Sequence, residues 1–167
     1  MELGLLYAPP VDPALVCHVE TCQPLDLIVP PGHPLCALHR PINLNDLRIW
    51  PLGLMDNPFG MRQMVNMVAQ HERIHLEARL HTNSVAVLKN FVRSGIGVTF
   101  MPELTIIDEI ERQEITTLPM KYPLMNSARA QIVSLKSQEL TVAAHACVEY
   151  LHQGMRFFSA NAPRLLS

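Results

Sequence analysis

Along this chain, short apolar runs closed by proline or glycine alternate with stretches in which apolar residues recur every three or four positions. The run Leu3 to Tyr7, ended by Ala8, Pro9 and Pro10, predicts a buried strand. Leu25 to Val29, "LDLIV", predicts a second, ended by "PPGHP", where three prolines exclude regular structure and Gly32 permits a turn. Asn43 to Leu47 suits a short helix with Asn43 as its cap. Ile49 to Met55 predicts a third strand, with Pro51 limiting its pairing.

Asp56, Asn57 and Pro58 then break the pattern. Pro58 fits the first turn of a helix, Asn57 its N-cap, and Phe59, Met64, Met67 and Val68 one apolar side running to about His71. From Ile74 to His81 apolar and polar residues alternate strictly, the period of a half-buried strand. Thr82, Asn83 and Ser84 are each able to cap the next helix. Its apolar face is Val85, Leu88, Phe91 and Val92, and Gly95 closes it. Ile96 to Met101 predicts a strand ending at Pro102, and Leu104 to Arg112 an amphipathic helix. Ile115 to Leu118 and Ala130 to Leu135 predict two further strands. A long last helix is expected from Gln138 to about Gln153, capped by Ser137 and stopped by Gly154. The order predicts an α/β fold with a parallel-dominated sheet covered on both faces. Such sheets bind ligands beyond the carboxyl ends of their strands.

Composition narrows the function. Hydrophobic residues make up 49% of the 167, enough for a proper core. Only 17% are charged and the net charge is -2, which argues against this chain itself gripping a polyanion such as DNA. No apolar run approaches the roughly 20 residues that span a bilayer, so no membrane association is expected. The start "MELGLLYAPP" lacks the basic and long apolar regions of a signal peptide, and a cytoplasmic location is expected. Cys17, Cys22, Cys36 and Cys147 are too few for a disulfide scaffold and match no Cys-x-x-Cys pair. Although His18, His33 and His39 lie near three of them, free thiols in a reducing compartment are the expectation.

One stretch, "HERIHLEARLH" from His71 to His81, contains H-E-x-x-H, which on a helix places two zinc-binding imidazoles and a general-base glutamate together. That chemistry needs His71 and His75 on one helical face. The strand alternation from Ile74 denies it, and Ala78 stands where the longer metzincin pattern wants glycine. A helix ending near His71 and a strand after it leave the match accidental, with no metal or other cofactor expected.

The segments "ELGLLYAPP", "LDLIVPPGHPL" and "NSVAVLKNFVRSGIGVTFMPE", in this order, resemble the effector-binding domain of LysR-type transcriptional regulators from Glu2 to about His152. The resemblance implies a type-2 periplasmic-binding-protein-like fold of two Rossmann-like lobes with a small inducer between them. Residues 30–123 are expected to form a complete second lobe, and residues 1–29 with 124–167 part of the first. By the family's layout the chain is truncated at its N-terminus. A winged helix-turn-helix that binds DNA, a linker helix and a further piece of the first lobe would precede it, including a Thr/Ser-rich ligand-holding turn. Self-association as a homodimer or higher oligomer is implied too.

Carried onto this sequence, the resemblance implies a ligand site at Tyr7, Ala8, Asn57, Pro58, Phe59, Asn83, Ser84, Thr99 and Phe100. Helix starts at Pro58 and Ser84 suit an anion independently, because their first N–H groups lack partners. Plain capping by Asn57, Asn83 and Ser84, a strand-end role for Tyr7 and a core role for Phe100 are the simpler alternatives. Neither "YAPP" nor "DNPFG" carries a basic residue to clamp a carboxylate, although Arg62 lies one turn into its helix. The expected function is therefore effector sensing without chemistry of its own, since no Ser-centred elbow, phosphate loop or dinucleotide fingerprint occurs. The alternatives are an extracytoplasmic solute-binding protein of the same fold and, behind it, a zinc peptidase.

Overall fold

A computed structural model describes residues 2–9, 11–56 and 60–154. In chain order the strands are β1 (Gly4–Tyr7), β2 (Leu15–Cys22), β3 (Leu25–Val29), β4 (Leu52–Met55), β5 (Ala78–Thr82), β6 (Thr99–Pro102), β7 (Thr116–Leu118) and β8 (Arg129–Leu135). The α-helices are α1 (Gly60–His71), α2 (Val85–Arg93), α3 (Ile107–Glu111), α4 (Pro123–Asn126) and α5 (Val142–Gly154). They divide into one unit of Met1–Gln23 with Arg129–Ser167 and a second of Pro24–Ala128.

In the first unit β8 lies between β1 and β2 and pairs antiparallel with both. Val19, Ala130 and Ile132 form its buried face, onto which Tyr7 of β1 and Val148 and Leu151 of α5 pack. β2 has no counterpart among the elements expected from the apolar pattern. Its pairing shifts between Cys17 and Val19, and at that bulge His18 Nε2 lies 2.8 Å from Ser134 Oγ. A bulge changes the parity of the side chains, so no single period of two runs through the strand. α5 starts later than expected. Thr141, not Ser137, is at its start, accepting from the Ala144 N–H at 3.3 Å and donating to Glu2 at 2.7 Å.

The second unit holds the larger core. Ile28, Met55, Leu88, Val92, Met101, Ile106 and Ile115 are buried together from three strands and two helix regions. β3 sits between β6 and β7, antiparallel to each, while β4 and β5 pair in parallel. The expected parallel-dominated sheet is thus corrected: most strand pairs are antiparallel, because apolar runs report burial and not direction. The unit boundary differs as well. β3 pairs only within the second unit, and α4 contacts β3 and α1, so the division falls after Gln23 and Ala128 rather than at residues 29/30 and 123/124.

Three strands begin later than their apolar patterns. β4 starts at Leu52, leaving Ile49 81% exposed, and β6 at Thr99, leaving Ile96 56% exposed. Ile74, Leu76, Ala78 and Leu80 do alternate in burial with His75, Glu77, Arg79 and His81, but the ladder to β4 begins only at Ala78.

The two sheets of this unit are joined through backbone. The Val98 N–H donates to the Pro51 carbonyl and the Gly53 N–H to the Val98 carbonyl, both at 2.9 Å. Gly97 makes this approach possible, since a Cβ there would overlap the Pro51 carbonyl oxygen and the Phe91 ring. Gly97→Ala should therefore lower stability by about 1–3 kcal/mol or more, read from the midpoint of urea denaturation.

A polar corner completes the unit. Asn43 caps the 3-10 turn Leu44–Leu47, its own N–H donating to Asp46 Oδ2 at 2.9 Å. The Tyr122 hydroxyl donates to Asn43 Oδ1 at 2.8 Å and accepts from the Leu44 N–H at 3.0 Å. The Arg40 fork, at 2.8 and 2.9 Å, holds the Asp46 carboxyl below the usual aspartate range, helped by the Asn43 N–H. A carboxyl depressed in the folded state adds stability above its unfolded pKa of about 4 and loses it as pH falls through the folded value. Asp46→Asn should accordingly flatten the loss of stability between pH ~4 and lower values in acid-unfolding curves.

Candidate functional site

Because β4 and β5 run parallel, their carboxyl ends reach the same edge, and the chain leaves each toward a helix. The Asp56 N–H donates to the Thr82 carbonyl at 2.9 Å, tying the two exits together. Thr82 then organises the next residue: its Oγ1 accepts from the Ser84 N–H at 3.1 Å. Ser84 is extended, with φ -107° and ψ 115°, and its hydroxyl oxygen accepts from the Val87 N–H at 3.4 Å, the geometry of an N-cap. Asn83 beside it is exposed, and Ser84 half-buried. The first amides of α2 have no partner within the helix, and the Ser84 hydroxyl takes the Val87 N–H.

Arg62, on the first turn of α1, folds back to the same edge. Its Nη1 donates to the Met55 carbonyl at 3.2 Å and lies 3.3 Å from His81 Nδ1, while its Nε donates to Asn66 Oδ1 at 2.9 Å. Neither Arg62 nor His81 stood among the expected ligand residues. The sequence carries a faint signal for both: Arg62 lies one turn past a strand end, and His81 has the outward parity at the end of β5.

The remaining expected residues fall elsewhere. Asn57, Pro58 and Phe59 lie outside the described residues. Thr99 is 1% and Phe100 3% exposed, and the Thr99 hydroxyl donates to the Gly53 carbonyl at 2.8 Å, so it serves the junction of the two sheets. Tyr7 and Ala8 belong to the first unit. The Tyr7 hydroxyl donates to the Gln23 carbonyl at 2.7 Å, and Ala8 turns the chain in a left-handed conformation with φ 48°. The structure thus gathers Asp56, Arg62, His81, Thr82, Asn83 and Ser84 along one edge of the second unit.

A shallow groove of about 450 Å³ near the other end of α2 is lined by Pro31, Asn90, Arg93, Ser94, Gln113 and Glu114. Its one cation, Arg93, is already paired with Glu114 at 2.9 Å.

The H-E-x-x-H stretch does not lie on one helix. α1 ends at His71, Arg73 takes a left-handed φ of 56°, and the Ile74 N–H closes back on the Ala69 carbonyl at 2.8 Å. His75 follows in the segment before β5, so the two imidazoles do not share a helical face. Cys17, Cys22, Cys36 and Cys147 are free thiols. Among the described residues no three metal-type side chains cluster, and no helix is long and apolar enough to cross a membrane.

The family model described as the LysR substrate binding domain matches residues 1–156. The chain is 27% identical over 132 residues to the transcriptional dual regulator GltC of Bacillus subtilis, covering 79% of this chain and 42% of that regulator. It spans less than half the length of the curated regulators it matches. Among solved structures, it superposes on the CcmR regulatory domain of Synechocystis PCC6803, in complex with 2-PG, with a TM-score of 0.76 at 22% identity. That match covers 92% of this chain and 74% of the other. The effector binding domain of QuiR, in complex with shikimate, gives 0.71 at 19% identity, covering 89% and 69%.

If the H-E-x-x-H match is accidental, purified protein should hold no stoichiometric zinc. Elemental analysis finding one zinc per chain, lost in His75→Ala, would show that the two imidazoles do meet a metal.

Proposed function

This chain belongs to the LysR substrate binding domain family, and from that premise we propose that it senses a small anionic effector on behalf of a transcriptional regulator. The observation that carries the ligand class is the edge where β4 and β5 end, with the capped start of α2 and the Arg62 guanidinium on the same side. Helix N–H groups and a guanidinium both favour negative charge. The binding surface in this reading comprises Asn83 and Ser84 in the second unit, with Thr99 and Phe100 supporting it from within. Two proteins of the same fold are complexed with small ligands, 2-PG in one and shikimate in the other, which supports a ligand of that size.

The chain binds its effector and returns it unaltered, acting in the cytoplasm as part of a self-associating regulator. DNA is contacted by a helix-turn-helix outside this chain, consistent with its net charge of -2. Calorimetry against a panel of small organic and phosphorylated acids, including 2-PG and shikimate, tests this. At least one should bind at one per chain and be recovered unchanged. Ser84→Ala should weaken that binding by about 0.5–2 kcal/mol, the loss of one polar contact. A panel in which no acid binds, while an uncharged compound does, would remove the anionic assignment.

A further inference from the structure

We infer that Arg62, held by the Met55 carbonyl and His81, is the side chain that makes this edge select a carboxylate or phosphate group over a neutral ligand. The inference rests on the effector-sensing reading and gives its site a specificity residue. Three observations carry it. The first is charge. Arg40, Lys89, Arg93 and Arg129 each pair with a carboxylate, whereas Arg62 has no ion pair among the described residues. Of the other described arginines without one, Arg48, Arg73, Arg79 and Arg112 are all exposed, but Arg62 is half-buried. A half-buried guanidinium without an ion pair gains from an arriving anion more than a fully exposed one does.

The second observation is donor accounting. A guanidinium has five N–H donors. Nε serves Asn66, and Nη1 serves Met55 and His81. Nη2 has no partner among the described residues, so a donor remains available on a fork that is already fixed in place. Fixing it in advance lowers the ordering cost of binding.

The third observation is the role forced on His81. A guanidinium cannot accept a hydrogen bond, so in its 3.3 Å contact with Arg62 it is His81 Nδ1 that accepts. His81 thus acts as an orienting acceptor for Arg62. The residue after it, Thr82, accepts from Asp56 through its carbonyl and from the Ser84 N–H through its hydroxyl. The guanidinium, the imidazole and the capped start of α2 therefore hang on the same two strand ends.

The test follows the backbone amides of Asp56, Thr82, Asn83 and Ser84 by nuclear magnetic resonance in the whole chain. Inorganic phosphate and acetate are the probes, and glycerol is the neutral control. Phosphate should move these signals saturably and glycerol should not. Arg62→Gln should weaken phosphate binding roughly tenfold or more, as expected for one charge-assisted contact. Arg62→Lys should fall between the two, keeping the charge and losing the fork. His81→Leu should weaken binding by less than Arg62→Gln, and His81→Gln, which still offers an acceptor, should recover part of the loss. Arg93→Gln in the distant groove should change nothing. The inference is overturned if phosphate leaves these amides unmoved in the unaltered chain. It is equally overturned if Arg62→Gln, with an otherwise native spectrum, binds phosphate as before. An organic acid found by calorimetry to bind Arg62→Gln undiminished would sink Arg62 as the anchor and leave effector sensing intact. An unaltered chain that binds no small molecule at all would overturn both.

Discussion

The second unit depends on one close backbone approach. Pro51 to Gly53 and Val98 exchange hydrogen bonds at 2.9 Å only because Gly97 has no side chain to fill the space between them. Through that contact the parallel pair β4 and β5 is joined to the antiparallel group β6, β3 and β7. Thr99 reinforces it from the side, its hydroxyl donating to the Gly53 carbonyl in a fully buried position. Gly53 has its own constraint, since a Cβ there would press on Leu88 and Phe91 of α2. Two glycines thus let α2 sit close against β4, and this fixes where the helix starts relative to the strand ends. The proposed binding edge inherits its geometry from a packing constraint at the opposite end of the same strands.

Local signals were the legible part of the sequence. Ser84 caps α2 and Gly95 follows it with φ 67°, as Ser/Thr/Asn and Gly chemistry requires at helix ends. Asn43 likewise caps its turn, and β3 occupies the residues its apolar run marks. What depends on partners was not legible. Strand direction follows from which strands meet, and apolar runs are silent on that. β2 was hidden by the bulge at His18, which breaks its period. α4 is a four-residue helix, too short to show a period at all.

The candidate site divides along the same line. Ser84 could be read as a cap because a cap is a local motif. Thr99 could not be distinguished from a wall residue, because its commitment to Gly53 links positions 46 apart in sequence. Arg62 was visible only as a cation one turn into a helix. Its return to the Met55 carbonyl and to His81 is tertiary, set by where α1 lies against β4 and β5. The H-E-x-x-H match shows the converse. A spacing implies a shared face only inside one element, and Arg73, with its left-handed φ, ends the helix between the two histidines.

Capping and ligand binding at Ser84 need not compete. A hydroxyl has one donor and two acceptor lone pairs, and the Val87 N–H engages one lone pair. The hydroxyl proton is left to donate, and anions only accept. Across the edge, Thr82 and the Met55 carbonyl satisfy donors from within the fold, Arg62 offers donors alone, and Asp56 contributes a carboxylate on the same edge. In the proposed reading, the donors of Arg62 and the Ser84 hydroxyl are matched to a ligand group that brings acceptors alone. In this reading, selection for negative charge rests on the Arg62 guanidinium, which sheet-end hydrogen bonds hold in place.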